Sequence, residues 1–199
     1  MWPKAVETDF ESYVKNGGGF VSYHAANNAF PGWTAYEDMV GLLWRPNTFG
    51  PGVVFDDKGR KQIVETGTGL NPNHPKRYDF TLTIANRDHP ITRGLPATIA
   101  LKSEQLTYGQ HGPEAVVRGD TLTFLTYAWC DSVKLNEPLD WVRTYGKGRV
   151  YVTQLGHTWH DEPSPDLANA GFRTLFLRGV EWAATGKVTL PLQKGYTAP

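Results

Sequence analysis

The chain has 199 residues, enough for one domain with a substantial core, and its 20 Lys and Arg residues balance 20 Asp and Glu residues. This neutral balance argues against nucleic acid or an anionic membrane as a partner. The only cysteine, Cys130, excludes an internal disulfide and a multi-cysteine zinc site. The sequence has no apolar run long enough to span a bilayer and no signal peptide after Met1, so we expect a cytoplasmic protein.

The first part of the chain predicts a helix, a strand and a second helix. Apolar residues at helical spacing over residues 6–14 predict an amphipathic helix that ends at Asn16-Gly17. Residues 20–23 predict a short buried strand, and the apolar spacing over residues 33–43 predicts the second helix. This order is typical of a parallel sheet covered on both faces.

The remaining elements are predicted with longer connections. Residues 44–75 are rich in Gly, Pro and Asn and predict a long surface excursion, in which the short apolar runs 53–55 and 62–64 stay unassigned. Residues 80–84 alternate as a half-buried strand does, and residues 88–96 form a turn-rich connection. The later predictions are strands at 121–129, 139–144 and 149–155, the last two forming a hairpin, and a helix from about 168 to 184 that ends at Gly186.

Two histidines directly follow predicted core strands, His24 after the first strand and His157 after the last. In open α/β sheets, ligands bind outside the carboxyl ends of the strands, so these two residues are candidates for a functional site. Imidazole together with a carboxylate, for which we select Glu104, can bind zinc or a similar cation or relay protons. A purely structural role as hydrogen-bonded packing residues stays open for each histidine.

Other motifs indicate what the site is not. The Gly17-Gly18-Gly19 run precedes a strand rather than following one, so it predicts a turn and not a phosphate-binding loop. The sharp strand-to-helix turn that would carry a nucleophilic Ser or Cys holds His24 instead. His74 and His111 lie in polar loops and are expected to be solvated, although His111 could line a cleft.

A set of segments, taken in order along the chain, carries a resemblance to a known family. They are residues 13–21, 24–30, 89–96, 145–150, 155–157 and 178–183, with Trp33, Tyr36, Gly41, Glu104 and Tyr108 between them. They resemble the ThuA-like family, named for trehalose utilisation, of the class I glutamine amidotransferase-like superfamily. The resemblance implies a flavodoxin-like α/β fold, a three-layer sandwich with a mostly parallel sheet, in a single domain over residues 1–199. Family members usually begin with a strand and helix that this chain lacks, which suggests a shortened protein.

The resemblance also implies a change of chemistry at the site. By position, His24 replaces the nucleophilic cysteine of the amidotransferases, while His157 corresponds to their catalytic histidine. Glutamine hydrolysis is therefore not expected, and the family instead implies metabolism of trehalose or of keto-glycosides. The family often has Asp before the residue equivalent to Glu104, where this chain has Ser103, which weakens a site with two carboxylates.

We therefore predict a sugar-active enzyme with a pocket built from His24, Glu104 and His157. These three residues would bind a divalent metal such as zinc, or the two histidines would act as acid and base beside a carbonyl. The ligand, a sugar or an oxidised sugar, is expected to contact Asn27, Trp33, Tyr36, Tyr108 and His160.

Two other function classes stay open from the sequence. The chain could be a non-catalytic sugar-binding or regulatory module that uses the same pocket without a metal or a titrating pair. It could also be an interaction subunit with an exposed sheet edge, in which case a homo-oligomer is one expected arrangement.

Overall fold

A computed structural model describes residues 1–193, which fold around one curved, mixed β-sheet. The α-helices are α1 Lys4–Lys15, α2 Thr34–Val40, α3 Glu114–Arg118 and α4 Ala170–Thr185. The strands are β1 Gly19–Tyr23, β2 Gly52–Phe55, β3 Lys61–Val64, β4 Tyr78–Ile84, β5 Thr98–Glu104, β6 Thr123–Cys130, β7 Leu135–Tyr145 and β8 Gly148–Thr153. Two 3₁₀ helices cover His24–Asn28 and Pro165–Ala168.

The sheet is mixed, and the prediction of a mostly parallel sheet is wrong. The strand order is β1-β8-β7-β6-β4-β5, with the β2–β3 hairpin joined to β7. Only β1 and β8 pair in parallel among the described strands; every other pairing is antiparallel. The connections between β6 and β7 and between β7 and β8 contain only a few residues. They are too short for the crossover that parallel neighbours require, so these strands pair antiparallel.

Apolar side chains form a separate core cluster on each face of the sheet. Along β8, Val150 and Val152 contribute to the cluster that also contains residues of α1 and α2, whereas Tyr151 contributes to the cluster that contains residues of α4. This alternation follows from the two-residue period of a strand. The parallel β1–β8 pair is therefore held in place from both faces, which fixes the carboxyl ends of these two strands.

The sheet curves around α4, which packs against β1 and β8 and also against β5 at the far end of the strand order. Asn169 caps this helix by accepting hydrogen bonds from the backbone N–H groups of Gly171, at 2.9 Å, and Phe172, at 3.1 Å. Gly186, with φ of +74°, ends it. Because of this curvature, the end of β5 lies close to the end of β8.

The helix predicted at residues 168–184 and the hairpin of the last two strands are confirmed. The second predicted helix is present as α2 but ends earlier, at Gly41 with φ of +86°. The runs at 53–55 and 62–64, which the sequence left unassigned, form the β2–β3 hairpin, and β5 and α3 were not predicted. Within residues 1–193, none of the helices has the length and apolar character that crossing a bilayer requires.

Candidate functional site

The carboxyl ends of the parallel strands β1 and β8 bring the two candidate histidines into direct contact. His24 Nε2 lies 2.8 Å from His157 Nδ1, and the ring centroids are 4.9 Å apart. Parallel pairing places both strand ends at the same edge of the sheet, and this explains why residues 133 positions apart meet. The structure thus brings together the two histidines that the sequence analysis placed in one candidate site.

The backbone of His24 adopts a left-handed conformation that few residues other than glycine adopt. Its φ is +45°, at the point where β1 turns abruptly into the 3₁₀ helix His24–Asn28. Such conformations carry strain and cluster at functional sites, where the surrounding structure holds them in place. Here the holding contact is a 2.8 Å hydrogen bond between His24 Nδ1 and the backbone carbonyl of Gln154.

These contacts determine which ring nitrogens carry protons. A carbonyl oxygen can only accept, so His24 Nδ1 is the donor to Gln154. In a neutral His24 ring the opposite nitrogen, Nε2, is then an acceptor, and the proton of the second hydrogen bond belongs to His157 Nδ1. The remaining nitrogen, His157 Nε2, therefore has a free lone pair in the neutral pair.

The surroundings of the pair favour its neutral form. Burial lowers the pKa of His24; the hydrogen bond to the Gln154 carbonyl opposes this shift, and the proximity of Arg77 adds to it. Burial also lowers the pKa of His157 to about 4, with further contributions from His24 and Arg77. Both rings are consequently neutral near pH 7, and His157 Nε2 can accept a proton or a hydrogen bond there.

We expect the stability contribution of His157 to fall as the pH is lowered from 6.5 to about 4. The unfolded ring binds a proton at its ordinary pKa of 6.5, whereas the folded ring binds it only near 4, so protons favour unfolding across this window. The expected loss is about 1 kcal/mol, because water screens the partly exposed ring. Denaturant unfolding of wild type and His157→Phe, measured above and within this window, checks it.

The wild type must be compared with His157→Phe because Glu104 titrates in the same pH range and has the opposite effect on stability. Burial raises the pKa of Glu104 from 4.5 to about 7, so the folded state binds the proton more tightly and Glu104 favours folding at the acidic end. The exposed His160, replaced by phenylalanine, serves as the control. An identical pH dependence for wild type and His157→Phe would contradict the expected contribution of His157.

Glu104 reaches the histidine pair from the end of β5, but its carboxylate is occupied by backbone N–H groups. It is fully buried and accepts hydrogen bonds from the N–H groups of Gln105 at 2.8 Å, Gly156 at 2.7 Å and His157 at 3.2 Å. Its role in this geometry is to hold the Gly156–His157 backbone. The curvature of the sheet brings the end of β5 close to the end of β8, although the two strands do not pair, and so allows this contact.

The backbone carbonyl groups of Gly156 and His157 also accept hydrogen bonds from side chains. The Tyr23 hydroxyl donates to the Gly156 carbonyl, and Arg77 donates to the His157 carbonyl at 2.7 Å. Arg77 lies 3.7 Å from the buried carboxylate of Asp166, which helps to fix the guanidinium. The position of the His157 ring is thus set by hydrogen bonds to both sides of its peptide backbone.

The three residues predicted as metal ligands do not fit a metal centre in this geometry. Two nitrogens bound to one tetrahedral zinc ion lie about 3.3 Å apart, since each Zn–N bond is about 2.0–2.1 Å, whereas His24 Nε2 and His157 Nδ1 are 2.8 Å apart and are joined by a hydrogen bond. The Glu104 oxygens bind the backbone instead. Within residues 1–193, no group of three or more His, Cys, Asp and Glu side chains is arranged to hold a metal ion.

The histidine pair lies at a cleft of about 250 Å³, which we call the inner cleft. It is lined by three histidines, His24, His74 and His157, and by uncharged side chains, and none of the described residues at its wall is Asp, Glu, Lys or Arg. The principal neutral side chains are Asn27, Asn28, Trp44, Gln105, Gln154 and Trp159. An adjoining outer cleft of about 670 Å³ shares part of this wall and adds charged residues, among them Lys76, Arg77 and Glu162.

Of the residues predicted to contact a ligand, the structure brings Asn27 to the inner cleft. Trp33 and Tyr36 are buried and stack on each other at 5.6 Å in the core between α1 and α2, away from both clefts. Tyr108 packs against the other core cluster. His160 is exposed and pairs with Asp161 at 2.6 Å, outside the walls of both clefts.

Several cleft residues were missed from the sequence. Trp44 and Trp159 supply aromatic surface, and Gln154 supplies an amide next to the histidine pair. His74, expected to be solvated, is exposed but lines both clefts, while His111 is buried between the carbonyls of Gly50 and Leu70. The one available signal was the position of Gln154 at the end of a strand, three residues before His157.

Comparison with known proteins identifies the family. Residues 1–183 match the ThuA family, described as trehalose utilisation. A ThuA-like protein from Parabacteroides merdae is 33% identical, with a TM-score of 0.89, over 98% of this chain and 71% of its own. A ThuA-like protein from Bacteroides uniformis is 18% identical, with a TM-score of 0.59, over 94% of this chain and 67% of its own. Curated proteins yield no match. The chain therefore belongs to the ThuA family, which is associated with trehalose utilisation.

Proposed function

We propose that the protein is a sugar-active enzyme that binds an oxidised sugar in the inner cleft and transfers a proton at the carbon next to the sugar's carbonyl group. The observation that carries the proposal is the 2.8 Å hydrogen bond between His24 and His157, with His24 oriented by the Gln154 carbonyl. This arrangement gives His157 Nε2 a free lone pair at the cleft. The association of the family with trehalose utilisation supports a sugar as the ligand.

The lining of the inner cleft is compatible with a neutral sugar. Trp44 and Trp159 offer flat apolar surfaces that can pack against the C–H face of a sugar ring, and the side-chain amides of Asn28 and Gln105 can hydrogen-bond hydroxyl groups. The wall carries no fixed carboxylate or ammonium group in its described part, so it suits an uncharged ligand. The outer cleft provides room for a second sugar unit.

The proposed step is a proton transfer with a defined path. His157 Nε2 accepts the proton from the carbon next to the carbonyl, and the electrons of the broken C–H bond form a C=C bond as the carbonyl oxygen becomes an oxyanion. The charge on His157 is shared with His24 through the Nδ1–H···Nε2 hydrogen bond, and the Gln154 carbonyl stabilises a positive His24. Return of a proton, exchanged with solvent, from His157 to the same carbon regenerates the ketone and completes an exchange. Glu104 contributes by holding the His157 backbone.

The proposal is tested by hydrogen exchange at carbon, which requires no knowledge of the final product. The purified protein is incubated in D₂O with trehalose or with trehalose oxidised to a ring ketone, and deuterium beside the ketone is followed by NMR. We expect the protein to accelerate deuterium incorporation into the ketone but not into trehalose. Binding of the ketone without accelerated exchange would instead support a non-catalytic sugar-binding or regulatory module. Absence of binding to either compound would overturn the proposed function.

A further inference from the structure

Three amide side chains form a buried cluster beneath the inner cleft. Asn27, Gln110 and Gln154 are each at most 3% exposed. The Asn27 Nδ2 group donates to Gln110 Oε1 at 2.8 Å and to Gln154 Oε1 at 3.0 Å. Asn27 thus uses both of its N–H bonds within the cluster, and both glutamines use their oxygens.

This arrangement leaves two buried donors without acceptors. Within the part of the chain that the structure describes, neither Gln110 Nε2 nor Gln154 Nε2 has a hydrogen-bond partner. A buried N–H group without an acceptor is unfavourable, so a group that supplies an acceptor there binds with a gain in free energy. The two glutamines differ in one respect, because Gln154 lines the inner cleft and Gln110 does not.

Gln154 is also linked to the proposed base. Its backbone carbonyl accepts the hydrogen bond from His24 Nδ1, so the residue that orients the histidine pair also carries the free amide donor. A ligand that places a C–H bond at His157 Nε2 has its carbonyl oxygen two bonds away from that carbon. A donor beside the histidine pair is therefore suited to the oxygen that becomes negative when the proton leaves.

We propose that Gln154 is a catalytic residue whose Nε2–H group donates a hydrogen bond to the carbonyl oxygen of the oxidised sugar. This inference rests on the proposed function. The hydrogen bond strengthens as the oxygen gains negative charge, so it stabilises the oxyanion more than the bound ketone. Gln154 consequently acts on the rate of proton transfer more than on the affinity for the ligand.

The test compares Gln154→Met with Gln110→Met. Each variant preserves side-chain length and removes one acceptor of Asn27 Nδ2, so the two cause the same loss within the amide cluster. The probe is the ring ketone of trehalose in D₂O. We expect Gln154→Met to slow deuterium exchange about 100-fold, with affinity reduced less than about 10-fold. Gln110→Met should leave the exchange rate within about 3-fold of wild type, because its amide is not at the inner cleft.

A measurement on the unmodified protein covers the case in which a variant fails to fold. In ¹H–¹⁵N NMR spectra, the side-chain amide signal of Gln154 should shift when the ketone is added, and that of Gln110 should move less. Equal slowing of exchange in both variants, or an unchanged Gln154 amide signal on ketone binding, would overturn the catalytic role of Gln154. Either result would leave the proposed function itself standing. If wild type binds the ketone but exchanges no deuterium, the proposed function fails first, and a Gln154 amide shift would then mark a binding contact rather than a catalytic one.

Discussion

Replacing His157 by phenylalanine is expected to slow deuterium exchange of the ketone at least about 100-fold, the usual contribution of a positioned base. Phenylalanine retains an aromatic ring of similar shape next to Trp159, whose ring is parallel to that of His157 within 7°, but has no nitrogen. The fold should therefore persist while the acceptor of the proton is lost. Exchange is measured by NMR, and folding by near-UV circular dichroism.

Substitution of His24 is also expected to slow deuterium exchange. His24→Asn suits the left-handed backbone, which asparagine tolerates, and removes the imidazole that fixes the tautomer of His157. We expect a loss of about 10- to 100-fold in the exchange rate. Because the two rings act as one unit, the double variant should be no slower than His157→Phe.

The control for both variants is His160→Phe, which changes a histidine outside both clefts. Its exchange rate should match that of wild type. Losses for His24→Asn and His157→Phe that multiply in the double variant would mean that the two histidines act separately. That outcome would contradict the hydrogen-bonded pair as the functional unit.

The second large effect concerns stability: Gly179→Ala is expected to lower the free energy of unfolding by about 2–3 kcal/mol. Gly179 lies in the middle of α4 directly against the Tyr151 ring of β8, and a Cβ at this position would overlap that ring. Tyr151 cannot move aside, because it is fully buried and its hydroxyl donates to Asp140 Oδ1 at 2.7 Å. The gain of about 1 kcal/mol in helix propensity offsets only part of the overlap.

A double-mutant cycle distinguishes this overlap from a general weakening of α4. Tyr151→Leu by itself loses a buried ring and the hydrogen bond to Asp140, but it also makes room beside residue 179. We therefore expect the double variant to lose less stability than the sum of the two single losses, as measured by urea unfolding. A strictly additive result would show that contact with Tyr151 is not the reason for glycine at this position.

Local patterns in the sequence predicted those helices and strands that are determined by residues close together in the chain. The spacing of apolar residues and the stop at Gly186 gave α4, and the tight turn between β7 and β8 gave the hairpin. The strand β1 and the histidine that follows it were also predicted, because a glycine run, a short apolar segment and a polar residue occur in succession. The antiparallel majority of the sheet was not predicted, since strand pairing joins segments that are distant in sequence.

For the site, the sequence by itself determined that His24 and His157 each directly follow a core strand. The structure shows that these two strands pair in parallel and so end at one edge of the sheet. Only the tertiary structure decided the roles around them. The curvature of the sheet turns Glu104 toward backbone N–H groups, and the core takes up Trp33 and Tyr36. The tertiary structure also places Trp44 and Gln154 at the cleft, and the Gln154 side-chain N–H group has no hydrogen-bond partner among the described residues. A side chain's partners depend on how distant strands pack, and no local pattern of residues carries that information.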